Sequence, residues 1–351
     1  FDNMQEKQSK LIAYLNNIGD APFIMLEYVR CTGGLRSGMG GSATMFNVSS
    51  GVLGFWTAQN NRAQEITSKF GALNFSMAPK KTIDFNGFAI VNDSKTNMFT
   101  QSNTFYNKLN ITEINETSAT QGSKLGMLKF STTYKPTNEV HIDYDIFGKL
   151  SEQTEMLDVT STQRNADTYK EEKPATLNQN FNLYYTINDK NIFAAELQHL
   201  YEKDQPLYNS LATSQPFAII PSNNNEAIID LIQNKKTSTN KLDAKFDYYY
   251  LLTPKSNINL TLGTTLSAQS LTSNISQKLD DGSVINFNGE VLNNDADYNF
   301  TDLFLALHYK MVSGKFTFNP GVSLHQYTTK DTQLSSENKE DQINLLPDVY
   351  V

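Results

Sequence analysis

A single cysteine, Cys31, in 351 residues rules out an intrachain disulfide and any cysteine-based zinc site. Long apolar runs are missing as well: stretches such as Tyr248–Leu252 and Leu303–Leu307 fall far short of the about 20 apolar residues that a membrane-crossing helix needs. Basic residues are in the minority, 29 Lys+Arg against 37 Asp+Glu for a net charge of -8, which excludes a nucleic-acid surface. No HExxH and no G-x-S-x-G occurs, and the glycine-rich Gly33–Gly41 lacks the Lys-Ser/Thr pair of a phosphate loop. Cys31 has no evident base. The expectation is a chain that is not an enzyme, with no catalytic residue, no cofactor and no metal.

What is present is a strong period of two. From Leu242 the even positions Leu242, Ala244, Phe246, Tyr248, Tyr250 and Leu252 are apolar, and the odd positions between them begin Asp243, Lys245 and Asp247. Successive side chains of a strand point to opposite faces, so one face is apolar and the other charged. After Thr253-Pro254-Lys255-Ser256 the pattern restarts at Ile258, Leu260 and Leu262, which predicts a β-hairpin. The same unit recurs around Pro79-Lys80-Lys81, Pro136-Thr137-Asn138, Asn188–Asn191 and Ser313-Gly314-Lys315. The connections between hairpins, Asn92–Gln121, Gly148–Thr176, Tyr201–Asn240 and Gln269–Asn299, are polar and predict long loops. Within one of them Ile228, Ile229 and Ile232 have helical spacing, which predicts a short helix over Asn225–Lys235.

Arms of roughly ten residues cross a bilayer when tilted, and tight turns at one end with long loops at the other are how outer-membrane barrels are organised. In hydrocarbon every backbone polar group must pair inside the protein, so strands survive only with apolar side chains outward and polar ones toward a wet lumen. The predicted fold is therefore all-β: an antiparallel up-and-down transmembrane β-barrel, present here in part as about ten or eleven strands, with short periplasmic turns and long extracellular loops. Residues 1–67 read as a Gly-rich segment with the first strand or strands, 68–330 as the hairpins, and 331–351 as a loop leading to a further strand. No charged and apolar leader precedes Phe1, and Val351 ends in mid-pattern, so the chain is expected to be an internal piece of a longer protein.

The polar stripes place His141, Asp143, Asp145, Glu196, Asp243, Lys245, Asp247, Asp302, His308 and Lys310 toward the lumen. His141, Asp143 and Asp145 share one strand face and could ligate a divalent cation, but same-face neighbours on one strand diverge, and an ordinary lumen stripe is the simpler reading. Tyr134, Tyr144, Tyr185, Tyr250 and Tyr309, near the short turns, are expected as an interfacial girdle. Glu113, Glu116, Glu152, Glu155, Asp158, Glu171 and Glu172 could hold Ca²⁺ among lipopolysaccharide phosphates, or could simply be solvated loop. The Asn-x-Ser/Thr matches, two of them inside predicted strands at Asn74 and Asn259, follow from an Asn/Thr-rich composition.

Three stretches also carry a family resemblance: Asn240–Tyr250, the Gly-rich Thr32–Gly41, and Phe318–Ser323 followed by Leu345-Leu346-Pro347. They resemble the barrel part of TonB-dependent-receptor-like outer-membrane proteins of the Bacteroidota. That resemblance implies a Gram-negative outer-membrane location, an N-terminal plug or carboxypeptidase-regulatory-like domain outside this chain, and TonB as a partner through that plug. It also implies a full barrel of up to about 22 strands. The expected function is binding and passage of an unidentified solute, with lipid bilayer and lipopolysaccharide as surroundings. A surface barrel that binds partners through its loops, for adhesion or secretion, is the alternative. A soluble carbohydrate-binding β-protein is the third class, and it conflicts with the apolar rows.

Overall fold

The computed structural model describes residues 63–350 apart from 108–109, 163–164, 216–219, 224, 288–291 and 335. Cys31, Gly33–Gly41 and the rest of residues 1–62 lie outside the described residues. All regular structure described is strand, and fourteen strands join one antiparallel sheet. On one side run β1 (Ala63–Lys80), β2 (Ile83–Tyr106), β3 (Ile111–Tyr134) and β4 (Val140–Ser161). On the other run β9 (Ile229–Thr253), β10 (Ser256–Lys278), β12 (Asn294–Ser313), β13 (Phe316–Gln333) and β14 (Ser336–Tyr350), each paired to its neighbour in sequence except that the short β11 (Val284–Asn286) folds back on β10.

Prolines explain the middle of the sheet. β5 (Asn165–Glu172) and β6 (Ala175–Asn188) are one path interrupted at Pro174, and β7 (Asn191–Asp204) and β8 (Leu207–Ala212) are one path interrupted at Pro206. Proline has no N–H for the ladder, but its carbonyl still accepts: Ser151 N–H donates to Pro174 O at 3.0 Å and Lys235 N–H to Pro206 O at 2.9 Å. β4 therefore pairs with β6 and then β5, and β9 with β7 and then β8. Asp204 ties the two breaks together, accepting the N–H of Lys173 at 3.1 Å and of Gln205 at 2.8 Å.

Four sequence expectations are corrected. The polar connections are mostly ladder, not loop: β2 and β3 stay in register from Ile83↔Tyr134 to Tyr106↔Ile111, and β4 continues to Ser161. Backbone pairing does not require apolar side chains, and Thr- and Ser-rich strands beyond the lipid need no apolar face. The helix expected over Asn225–Lys235 is instead the start of β9, where Ile229 and Leu231 are buried with Ile220, Ile275 and Phe287 in a small dry cluster under the β8–β9 connection. Residues 336–350 are a strand, β14, paired along β13, not a loop. Tyr144 lies outward between Ile142 and Ile146, and its hydroxyl donates to Gln179 at 2.8 Å, so it is not a turn-side girdle residue.

The two faces are sharply different. Phe246, Leu260 and Leu305 are 46%, 42% and 48% exposed on the outward face, and Asp247 is 2% exposed on the other. An apolar face exposed while carboxylates are covered is the reverse of a soluble sandwich, and it is the arrangement of a barrel wall.

The strand tilt can be read from the sequence once the register is known. The outward apolar run ends at Leu150 before Glu152 on β4, at Leu242 before Asn240 on β9, at Leu303 before Thr301 on β12 and at Leu324 before Gln326 on β13. A straight row of paired residues from Leu150 passes through Ala175, Lys203, Ser238, Ser270, Asp297 and Thr332. By β13 the apolar edge has slipped from Thr332 to Leu324, eight residues over six strand spacings. At about 3.3 Å per residue and 4.8 Å per spacing this is a tilt of about 40°, the value a closed barrel wall requires. Among the described residues no ladder joins β1 to β14. The fold is the wall of an up-and-down antiparallel β-barrel.

Candidate functional site

The inner face is built from hydrogen-bonded rows that run across the strands. One row holds Asp143, Asn182, Glu196, Lys245, Gly263, Phe304, His325 and Asn344. The row on the side away from the short turns holds Asp145, Asp243, Asp302 and Tyr327, and the row on its turn side holds His141, Asp247, Thr261, Ala306 and Ser323. His308, paired with Asn259, and Lys310, paired with Asn257, follow toward the turns. All ten residues that the sequence pattern assigns to the lumen share this face.

The structure groups them into ion pairs that span strands. Lys245 lies 3.3 Å from Glu196 on β7 and 3.2 Å from Asp247 on its own strand. Asp247 also accepts the Asn259 amide at 3.3 Å and the Thr261 hydroxyl. Asp243 pairs with Lys241 at 2.9 Å and accepts the Thr265 hydroxyl at 2.7 Å. Asp143 holds His141 at 3.0 Å and the Thr133 hydroxyl at 2.7 Å, while Asp145 takes the Ser131 hydroxyl and, at 3.9 Å, Lys129. His141 and Asp143 thus pair with each other while Asp145 turns to Ser131 and Lys129, and among the described residues no three metal-ligating side chains gather. Such an interlocked wall of fixed dipoles and charges can hold a polar solute through several weak contacts without trapping it.

Two residues of this inner face sit at approaches that only glycine allows. A Cβ on Gly263 would enter the Phe304 ring, and one on Gly321 would meet the His308 ring and the Asp348 carboxylate. These seats lay Phe304 and His308 flat along the wall. His308 Nε2 then reaches Asp348 at 3.1 Å.

Sequence reasoning missed His325 and its surroundings. His325 pairs with Asp302 at 3.0 Å and stacks on Phe304 at 5.0 Å and Tyr327 at 5.3 Å, and Tyr327 stacks on Phe300 at 6.0 Å. The signal was there: Phe300 and Phe304 fall on the polar phase of β12, out of step with Leu303, Leu305 and Leu307. His199 is on the other face, where Gln179, His199 and Asn240 form an outward chain at 3.2 and 3.0 Å along the upper edge of the apolar band.

The acidic residues expected in loops sit on the strand extensions. Glu152 pairs with Lys124 at 3.3 Å, Glu171 with Lys173 at 2.8 Å and Glu172 with Lys170 at 2.6 Å. Glu155 accepts from Gln121 at 2.8 Å, Glu116 from Gln101 at 3.0 Å and Glu113 from Tyr106 at 2.8 Å. They are distributed partners of a ladder and form no shared cation cage.

No family model matches the chain, and no curated protein matches it. Among solved structures it is similar to the ferric citrate transporter FecA in its unliganded form, at 11% identity and a TM-score of 0.39, over 82% of this chain and 42% of that one. It is also similar to a Pseudomonas aeruginosa FadL homologue, at 8% identity and a TM-score of 0.25, over 81% of this chain and 87% of that one. The siderophore receptor PiuA from Acinetobacter baumannii is similar at 7% identity and a TM-score of 0.26, over 79% and 60% of the two chains. The chain spans less than half the length of FecA.

Proposed function

We propose that this chain is the wall of an outer-membrane barrel that binds a polar solute in its lumen and passes it across the membrane. The observation that carries this reading is the slip of the apolar edge against the hydrogen-bond rows: an apolar belt level with a bilayer exists only for tilted strands, with the paired charges of Glu196, Lys245 and Asp247 on the opposite, watered side. Energised uptake through TonB and a plug domain, as in the resemblance to receptors of the Bacteroidota, is the finer form of the proposal. The tall paired extensions of β2, β3 and β4 support a second reading, a surface barrel that presents these ribbons to a partner outside the cell.

Fractionation and flux test both. The full-length protein should sediment with outer membranes, need detergent for extraction and, in liposomes, admit small polar solutes. Release into buffer without detergent would end the membrane reading, and membrane insertion without any solute flux would favour the surface role.

A further inference from the structure

Beyond solute passage, the β12–β13 ladder assembles a second chemistry. His325 Nδ1 lies 3.0 Å from both Asp302 carboxylate oxygens, and its Nε2 lies 3.1 Å from Ser323 Oγ. An ionised carboxylate only accepts, so in the neutral ring the proton sits on Nδ1 and Nε2 offers its lone pair to the Ser323 hydroxyl at 3.1 Å, a shorter contact than the 3.5 Å from that hydroxyl to the Leu346 carbonyl. Stacking between Phe304 and Tyr327 fixes the ring plane. A hydroxyl, a base within hydrogen-bond reach and a third group that orients the base are the parts of nucleophilic acyl transfer.

We propose that Ser323 is an acyl-transfer nucleophile activated by His325, acting on short-chain carboxylic esters that enter the outer end of the lumen. Ser323 and His325 flank Leu324, the last residue of the outward apolar run, so the site stands at the extracellular rim. In the attack, Ser323 Oγ bonds to the ester carbonyl carbon and its proton passes to His325 Nε2. The carbon–alkoxy bond then breaks, and the leaving alcohol takes that proton. Water adds to the acyl-serine, giving a proton to Nε2, and the carboxylic acid departs as Ser323 recovers its hydrogen. Asp302 is a positioning residue that holds the tautomer.

Asn344, directly across from His325 on β14, has its Oδ1 engaged by Gln342 Nε2 at 3.1 Å, which leaves its Nδ2 as the donor for the developing oxyanion. The residues paired with Ser323 are Ala306 and Leu346, both apolar, and the small Ala306 on the β12 side suits a short acyl group.

The test uses the full-length protein in detergent with a fluorophosphonate probe and p-nitrophenyl acetate. Mass spectrometry should place the phosphonyl group on Ser323. Ser323→Ala should abolish labelling and turnover, His325→Gln should lower both by about 100-fold or more, and Asp302→Asn should do likewise with Asp302→Glu restoring most of the rate. Unheated gel mobility verifies folding of each variant, and Ser323→Cys, read by iodoacetamide alkylation that depends on His325, serves if Ser323→Ala misfolds. No label on Ser323, or labelling that is equal in the wild type and His325→Gln, would overturn the proposal.

Discussion

The Asp204 carboxylate accepts the backbone N–H of Lys173 across the gap between two proline-interrupted strands. Because the same oxygen also receives Gln205 N–H, one side chain replaces ladder bonds on both broken paths. Asp204→Ala should leave these donors unpaired and cost about 1–3 kcal/mol of local stability, seen as faster amide exchange confined to β5, β8 and their junctions. Asp204→Asn should keep most of the protection.

Acid should act on the same staple. Burial pushes the Asp204 carboxyl above its ordinary value, and the two backbone donors oppose this only in part. The folded form therefore holds the proton more tightly than the unfolded one, so this contribution is largest below the ordinary carboxylate range and fades as pH rises through the raised value. Protection factors at the β5–β6 and β7–β8 junctions, taken after the intrinsic pH dependence of amide exchange is divided out, should rise on mild acidification in the wild type and show no such change in Asp204→Asn.

Phe304 and Gly263 should behave as one unit. Gly263→Ala places a methyl group where the ring lies and should destabilise by about 1–3 kcal/mol in denaturant titration. In the Phe304→Ala background the same change should cost far less, and a double-mutant cycle that shows additivity would contradict the seat.

Charge placement tests which face meets lipid. Leu262→Arg, on the exposed apolar face at the middle of β10, should cost about 2–4 kcal/mol in folding from detergent or lipid. Thr265→Lys, one face over and beside Asp243, should be nearly neutral.

Lys245 counters two carboxylates. Lys245→Gln should bring Glu196 and Asp247 into repulsion and shift any conductance toward cations, measured as a change in reversal potential under a salt gradient. Adding Asp247→Asn should return most of that shift.

The sequence revealed the two faces because lipid demands a strict period of two, and Leu303, Leu305 and Leu307 obey it. It hid the strand extensions because both faces there meet water, and Asp297 or Asn299 then looks like loop. Ile228, Ile229 and Ile232 misled for another reason: three closely spaced isoleucines fit a helix as well as a buried strand start. The Asp302–His325 pair was in principle legible. The tight turn from Ser313 to Phe316 fixes an unbroken register that puts Phe304 opposite His325. Between β9 and β10 the shift after Ser256 defeats the same reasoning, since one extra residue moves every partner.

Because the strands lean, side chains joined in one hydrogen-bond row do not share one depth. Each strand step lifts the row by about 3 Å, so Asp143, Glu196, Lys245 and His325 mark successive treads of a spiral stair that rises from near the short turns toward the end with the tall strand extensions. A molecule descending along the wall would exchange one polar grip for the next while turning about the pore axis, like a nut following a thread.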